Sequence, residues 1–137
     1  IVTATSAQAP LLKAEWFKPG AFYSHVGGWE DEYAVAKACD KIVCDDWETV
    51  KHRTQTLSRM YKDGELSDAD IHADLDEMVA GEKPGRERED ERAYFNAVGL
   101  SFVDVAIASQ SHLGLVAIGE LRSHADSSTG RVRQPNR

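Results

Sequence analysis

The chain has 137 residues, 42% of them hydrophobic, and a formal net charge of −7. That length and apolar content suit one packed domain and argue against a disordered chain. The acidic balance argues against a nucleic-acid backbone or an anionic membrane surface as the main partner, since both call for basic patches.

Two cysteines, Cys39 and Cys44, are too few for a disulfide scaffold and lack the spacing of a zinc framework. They read as reduced, mostly buried thiols of a cytoplasmic protein. No apolar run reaches the length of a transmembrane helix.

Taken in order, Ile1-Val2-Thr3-Ala4-Thr5 is β-branched and apolar and predicts a buried strand. Because the chain opens inside a strand and on isoleucine, an upstream half, or a companion chain, is expected. Residues 11–20 fit a short helix or turn closed by Pro19-Gly20, and 21–26 a second strand broken by Gly27-Gly28. Residues 30–38 predict a helix with acids at its start, where they complement the helix dipole.

Residues 41–45 predict a third strand, with Asp45 or Asp46 capping one helix over 47–61. Ser67 is expected to open another helix through Ala80, with Gly81 past its end. Over 93–118 periodicity leaves one long helix, or a strand followed by a helix, equally open around Gly99. Residues 119–137 are polar and aperiodic and read as a mobile tail. Strands alternating with helices predict an α/β sheet, here an incomplete doubly wound fold.

No Gly-x-Gly-x-x-Gly occurs, so the sequence by itself demonstrates no pyrophosphate cradle. Two segments carry a resemblance instead. One is Tyr23-Ser24-His25-Val26-Gly27-Gly28 with Lys41-Ile42-Val43-Cys44-Asp45-Asp46. The more specific one runs Leu75-Asp76-Glu77-Met78-Val79-Ala80-Gly81-Glu82-Lys83-Pro84-Gly85-Arg86, then Tyr94-Phe95-Asn96-Ala97-Val98-Gly99 and Asp104. Together they resemble the carboxy-terminal part of the ornithine cyclodeaminase/mu-crystallin family.

The resemblance implies a homodimeric enzyme that binds NAD or NADP and acts on an amino or imino acid. Residues 1–98 would form the second half of a Rossmann-like nucleotide domain, with 93–98 as its last strand. Residues 99–118 would be a helix returning to the substrate and dimer domain. The family's glycine-rich turn would lie upstream. Thr3 and Thr5 match strand-end threonines that border the nicotinamide ribose. Gly27, Asn96 and Gly99 fall on the nicotinamide side, where Gly99 would allow close backbone approach. A non-catalytic NADPH-binding protein, or an inactive isolated fragment, is the competing reading.

The cyclodeaminases of the family carry a proton-handling aspartate just after Gly28. Here Trp29-Glu30-Asp31-Glu32 stands there, with an indole at the aspartate's own position. Glu30 and Asp31 are the candidate replacements, against the alternative that they only begin a helix. His25, beside the glycines, is a third candidate for proton transfer, against a purely structural role. Asp104, between valines, predicts a buried acid satisfied by hydrogen bonds. The remaining histidines stand at no ligand spacing, so no metal is expected.

Overall fold

The computed structural model describes residues 1–101 and 104–111. Five strands form one sheet: β1 (Val2–Thr3), β2 (Phe22–His25), β3 (Lys41–Cys44), β4 (Ala73–Asp74) and β5 (Ala93–Asn96). Their spatial order is β1-β2-β5-β3-β4, and every pairing is parallel. The four expected strands are thus all present, in the parallel α/β sheet that the alternation predicted. The ladder hydrogen bonding runs on past the strands: Val26 N donates to Thr3 O and Gly28 N to Thr5 O.

Parallel neighbours need crossovers, and a right-handed crossover fixes the face on which its helix lies. From β1 through β2 and β3 to β4 the chain moves across the sheet in one direction, so its connections fall on one face. These connections hold a 3₁₀ turn (Ala14–Trp16) and the helices α1 (Tyr33–Lys37), α2 (Trp47–Lys51) and α3 (Thr56–Lys62). Leu12, Phe17, Val35, Ala36, Trp47, Val50, Leu57 and Met60 from them form the core with Tyr23, Ile42, Cys44 and Tyr94 of the strands.

The return from β4 to β5 runs the other way. Its helix α4 (Leu75–Val79) accordingly lies on the opposite face, where Leu75 and Met78 line an apolar groove with Phe22, Val43 and Phe95. That face is only partly covered, and Phe22 is 50% exposed.

Strand side chains alternate between faces, so register decides which residues meet. Tyr23 pairs with Tyr94 and Tyr94 with Ile42; one step on, His25 pairs with Asn96 and Asn96 with Cys44. Both rows point into the helical face. Tyr23 and Tyr94 meet edge to face, with centroids 4.9 Å apart, a contact worth about 0.5–1.5 kcal/mol beyond burial.

Three expected helices are corrected. The helix predicted from residue 30 begins at Tyr33, because Glu30 and Asp31 run extended beside Leu12, with Leu11 N and Leu12 N both donating to Glu30 O. The helix predicted over 47–61 is two helices. Asp46 caps the first through Thr49 N, and Gln55, in extended conformation, starts the second. The break releases the Gln55 side chain toward the strand ends.

The helix predicted from Ser67 is a single 3₁₀ turn (Asp68–Asp70) followed by β4 and then α4. Two capping boxes lie in that stretch, Ser67 with Asp70 and Asp74 with Glu77, and the second starts the α-helix. The intervening residues join the sheet, His72 N donating to Ile42 O at 2.8 Å. Gly81 does follow that helix, at φ +77°.

Residues Ile1–Gly99 form one compact unit. Beyond it, 104–111 are helical, and Asp104 is exposed rather than buried. The polar stretch 119–137 lies outside the described residues. Among the described residues no helix is long and apolar enough to cross a membrane.

Candidate functional site

Open parallel sheets place ligands at the carboxyl ends of their strands. At that edge β1, β2 and β5 end side by side. The catalytic and cofactor-binding candidates read from the sequence, Thr3, Thr5, His25, Gly27, Glu30, Asp31, Asn96 and Gly99, gather around these three ends. They divide into a buried polar layer and an exposed rim.

Glu30 is fully buried. Its carboxylate accepts hydrogen bonds from Thr3 Oγ1 at 2.6 Å, from Gly27 N at 3.0 Å and from Thr5 N. One side chain thereby ties the exit of β1 to the exit of β2. Burial opposes its ionisation, but these donors outweigh burial and hold the carboxyl below its usual range. Gly27 must be glycine, because a Cβ there would run into Thr5 O and the Glu30 carboxylate.

Asp31 is equally buried. It accepts from Thr56 Oγ1 at 2.6 Å and from Tyr94 OH at 3.1 Å, with Tyr23 OH at 3.4 Å. Burial pushes its carboxyl up; the Thr56 hydroxyl, the nearby His25 and the tyrosine hydroxyls only partly offset this. The same burial, reinforced by Asp31, raises the Tyr23 and Tyr94 phenols. Neither acid caps a helix through its side chain, so the helix-start alternative gives way to a bonded, inward-facing pair.

His25, also fully buried, bridges Gly28 O through Nε2 and Asn96 Oδ1 through Nδ1, both at 2.8 Å. Glu30 Oε2 and Asp31 Oδ1 lie 3.5 and 3.7 Å from Nε2. Asn96 passes the chain on, its Nδ2 donating to Gln55 Oε1 at 2.9 Å. Gln55 Nε2 reaches Gly27 O and Ala97 O, each at 3.0 Å. His25, Glu30, Asp31 and Asn96 are all fully enclosed, so these four side chains offer a ligand no exposed atom.

The rim is different. Thr5 and Gly99 are exposed, and Gly27, Gly28 and Ala97 are half-buried. Thr3 has its hydroxyl committed to Glu30 and to Tyr23 OH at 2.8 Å. Gly99 sits at φ +87°, with open space where a Cβ would point. The turn's left-handed backbone suits glycine at that position. Asp45 fixes this turn by accepting from Val98 N at 2.9 Å and Gly99 N at 2.8 Å.

Trp29 does occupy the step after Gly28. Its ring lies under the Arg59 guanidinium, 4.6 Å from the centroid, and its buried Nε1 has no partner.

An apolar groove of about 580 Å³ lies elsewhere, over the uncovered sheet face, and includes Lys41, Gly85 and Arg86 in its lining. It sits toward the amino ends of the strands, away from the polar layer, and gathers no set of reactive groups.

Sequence reading missed Gln55, Thr56, Tyr23 and Tyr94. The two tyrosines read as ordinary strand residues, and Gln55-Thr56 fell inside an assumed helix. The one available signal was the polar run Thr54-Gln55-Thr56 interrupting the apolar stripe there.

The match to the Ornithine cyclodeaminase/mu-crystallin family covers residues 1–113. An N-((2S)-2-amino-2-carboxyethyl)-L-glutamate dehydrogenase of Staphylococcus aureus is 31% identical over 108 residues, covering 79% of this chain and 32% of that protein. The structure of Thermococcus litoralis Delta(1)-pyrroline-2-carboxylate reductase in complex with NADH and L-proline superposes with a TM-score of 0.75 at 31% identity, covering 86% of this chain and 38% of that one. An archaeal alanine dehydrogenase dimer with bound NAD gives a TM-score of 0.73 at 33% identity, covering 86% and 38%. The chain therefore spans about a third of the length of these relatives. By the extent of the family match and the parallel sheet that accompanies it, this chain belongs to the ornithine cyclodeaminase/mu-crystallin family.

Proposed function

We propose that this chain supplies the second half of the nucleotide-binding domain of an NAD(P)-dependent enzyme that reduces an imino acid or oxidises an amino acid. The observation that carries this reading is the rim: three adjacent parallel strand ends present a floor of small residues, Thr5, Gly27, Gly28 and Ala97, held in register by Glu30 beneath them. A flat nicotinamide and its ribose fit such a floor, and large side chains there would exclude them. The relatives' names support the substrate class. Alanine, proline and the Staphylococcus aureus compound each bear nitrogen on a carbon next to a carboxylate.

A bound nicotinamide would supply the hydride. This chain's residues set the floor against which it lies. Glu30 joins Thr3, Thr5 and Gly27; Gln55 joins Gly27 to Ala97; Asp45 holds Gly99. Glu30, Asp31 and His25 act as positioning residues, since none has surface with which to meet a substrate. The proton accompanying hydride transfer then comes from another group or from solvent. With an indole at the cyclodeaminase aspartate's position and both neighbouring acids turned inward, cyclisation of ornithine to proline is not expected. The dimeric archaeal relative supports a homodimer for the complete protein.

The test is turnover by the complete protein, followed by NADH or NADPH absorbance, with 1-pyrroline-2-carboxylate and with pyruvate plus ammonium. Oxidation of the cofactor with one of these is expected. Binding that quenches cofactor fluorescence, with no hydride transfer to any imino or keto acid, overturns the enzymatic reading. Efficient proline formation from ornithine overturns the exclusion of cyclisation.

A further inference from the structure

We propose that His25 carries a hydrogen on both ring nitrogens in the folded protein, forming a buried imidazolium that acts as a positioning residue for the Gly27-Gly28 turn. The argument starts at Gln55. One end of its amide faces Gly27 O and Ala97 O at 3.0 Å and Val26 O at 3.4 Å. Three main-chain carbonyls are acceptors that cannot be inverted, so the NH₂ group must point at them. Gln55 Oε1 therefore faces Asn96, which must present its own NH₂, at 2.9 Å.

Asn96 Oδ1 is then the atom 2.8 Å from His25 Nδ1, and Nδ1 must donate. The other nitrogen, Nε2, is 2.8 Å from Gly28 O, again a fixed acceptor, and must donate as well. A neutral imidazole has only one N–H. It would leave a lone pair against an oxygen at hydrogen-bond distance in a site with no water-accessible surface. Turning the ring over would put carbons at both oxygens and lose both bonds.

The charge is matched locally. The groups facing the ring are Glu30 and Asp31 from the β2–α1 connection, Tyr23 from β2, and Tyr94 and Asn96 from β5. Gln55 and Thr56, from the start of α3, complete the surrounding network. The two carboxylates, 3.5 and 3.7 Å from Nε2, are the counter-ions. The imidazolium in turn favours the ionised carboxylates, and ionised Glu30 is what grips Thr5 N and Gly27 N. The protonation state stands on the hydrogen-bond geometry alone; its bearing on cofactor binding rests on the function proposed above.

The experiment is NMR of the complete protein with ¹⁵N-labelled histidine, at about pH 8, where an imidazole in water is neutral. Asn96→Leu, which removes the acceptor at Nδ1, assigns the signal, and NADH binding is measured in parallel. One ring with one-bond N–H couplings at both nitrogens, reduced to a single coupling in Asn96→Leu, supports the proposal. No doubly protonated ring in the wild type overturns it, whether or not the variant folds. A singly protonated ring in a protein that binds NADH overturns this inference and leaves the functional reading standing. A doubly protonated ring in a protein that binds neither NADH nor NADPH supports the inference and overturns the functional reading.

Discussion

Glu30→Gln isolates the contribution of one carboxylate to the shape of the rim. In the wild type, Oε2 accepts from Thr3 Oγ1 and Gly27 N, while Oε1 accepts from Thr5 N. Glutamine keeps one oxygen. If that oxygen serves Thr3 and Gly27, the new NH₂ group faces the Thr5 N–H, donor against donor. The stranded amide costs about 1–3 kcal/mol, and the two surviving bonds each lose roughly 1 kcal/mol with the charge. A total near 3–5 kcal/mol is expected, a large part of the 5–15 kcal/mol typical of a folded domain.

Urea unfolding of wild type and variant, followed by tryptophan fluorescence, measures the difference, and its pH dependence tests the cause. Because the folded-state carboxyl lies below its ordinary value of 4.5, its contribution is fully present above that value. It is lost as the pH falls through the lower folded value. The gap between the two proteins should therefore be constant near neutrality and close in acid. A loss below about 1 kcal/mol would refute the assignment of Glu30 as the tie between the strand ends, and a gap that persists unchanged in acid would show that its charge is not the cause.

Thr56→Val removes the 2.6 Å donor to Asp31 and should cost about 1.5–3 kcal/mol, the range for a bond to a buried charge; an unchanged unfolding midpoint would mean the tyrosine hydroxyls suffice. Gly27→Ala sets a methyl against Thr5 O and the Glu30 carboxylate. It should destabilise by about 1–3 kcal/mol and weaken NAD(P)H binding at least about tenfold, the equivalent of roughly 1.4 kcal/mol; wild-type affinity in a folded variant would remove Gly27 from the binding floor. Burial, reinforced by Asp31, pushes the Cys39 thiol up to about 12, and burial raises Cys44 further. Neither should react readily with a thiol reagent at neutral pH until the protein is unfolded, and rapid labelling of the native protein would contradict the burial of Cys44 and the raised, half-buried thiol of Cys39.

The sequence by itself determined three of the main strands, the alternation that makes their sheet parallel, and the family, whose resemblance in turn implied the fourth strand at 93–98. These are local properties: β-branched runs, turn glycines, and a short ordered set of residues around Pro84-Gly85-Arg86 and Asn96. It also named residues that the fold brings together, because residues at the carboxyl ends of adjacent parallel strands meet wherever the sheet is built.

Only the tertiary structure decided what those residues do there. Glu30 and Asp31 carry the composition of a helix start, yet the parallel bridge to Leu12 keeps them extended and turns them under the strand ends. The segment 71–74 reads as helix, yet the open edge of β3 takes it as a strand, since a ladder bond to Ile42 O satisfies backbone that a lone turn would leave unpaired. Gln55 looks like one more helical residue, and its reach to three carbonyls exists only because β2 and β5 are neighbours while 41 residues separate it from Asn96. Register, which places His25 opposite Asn96, is fixed by packing of both faces at once and leaves no mark in any single segment.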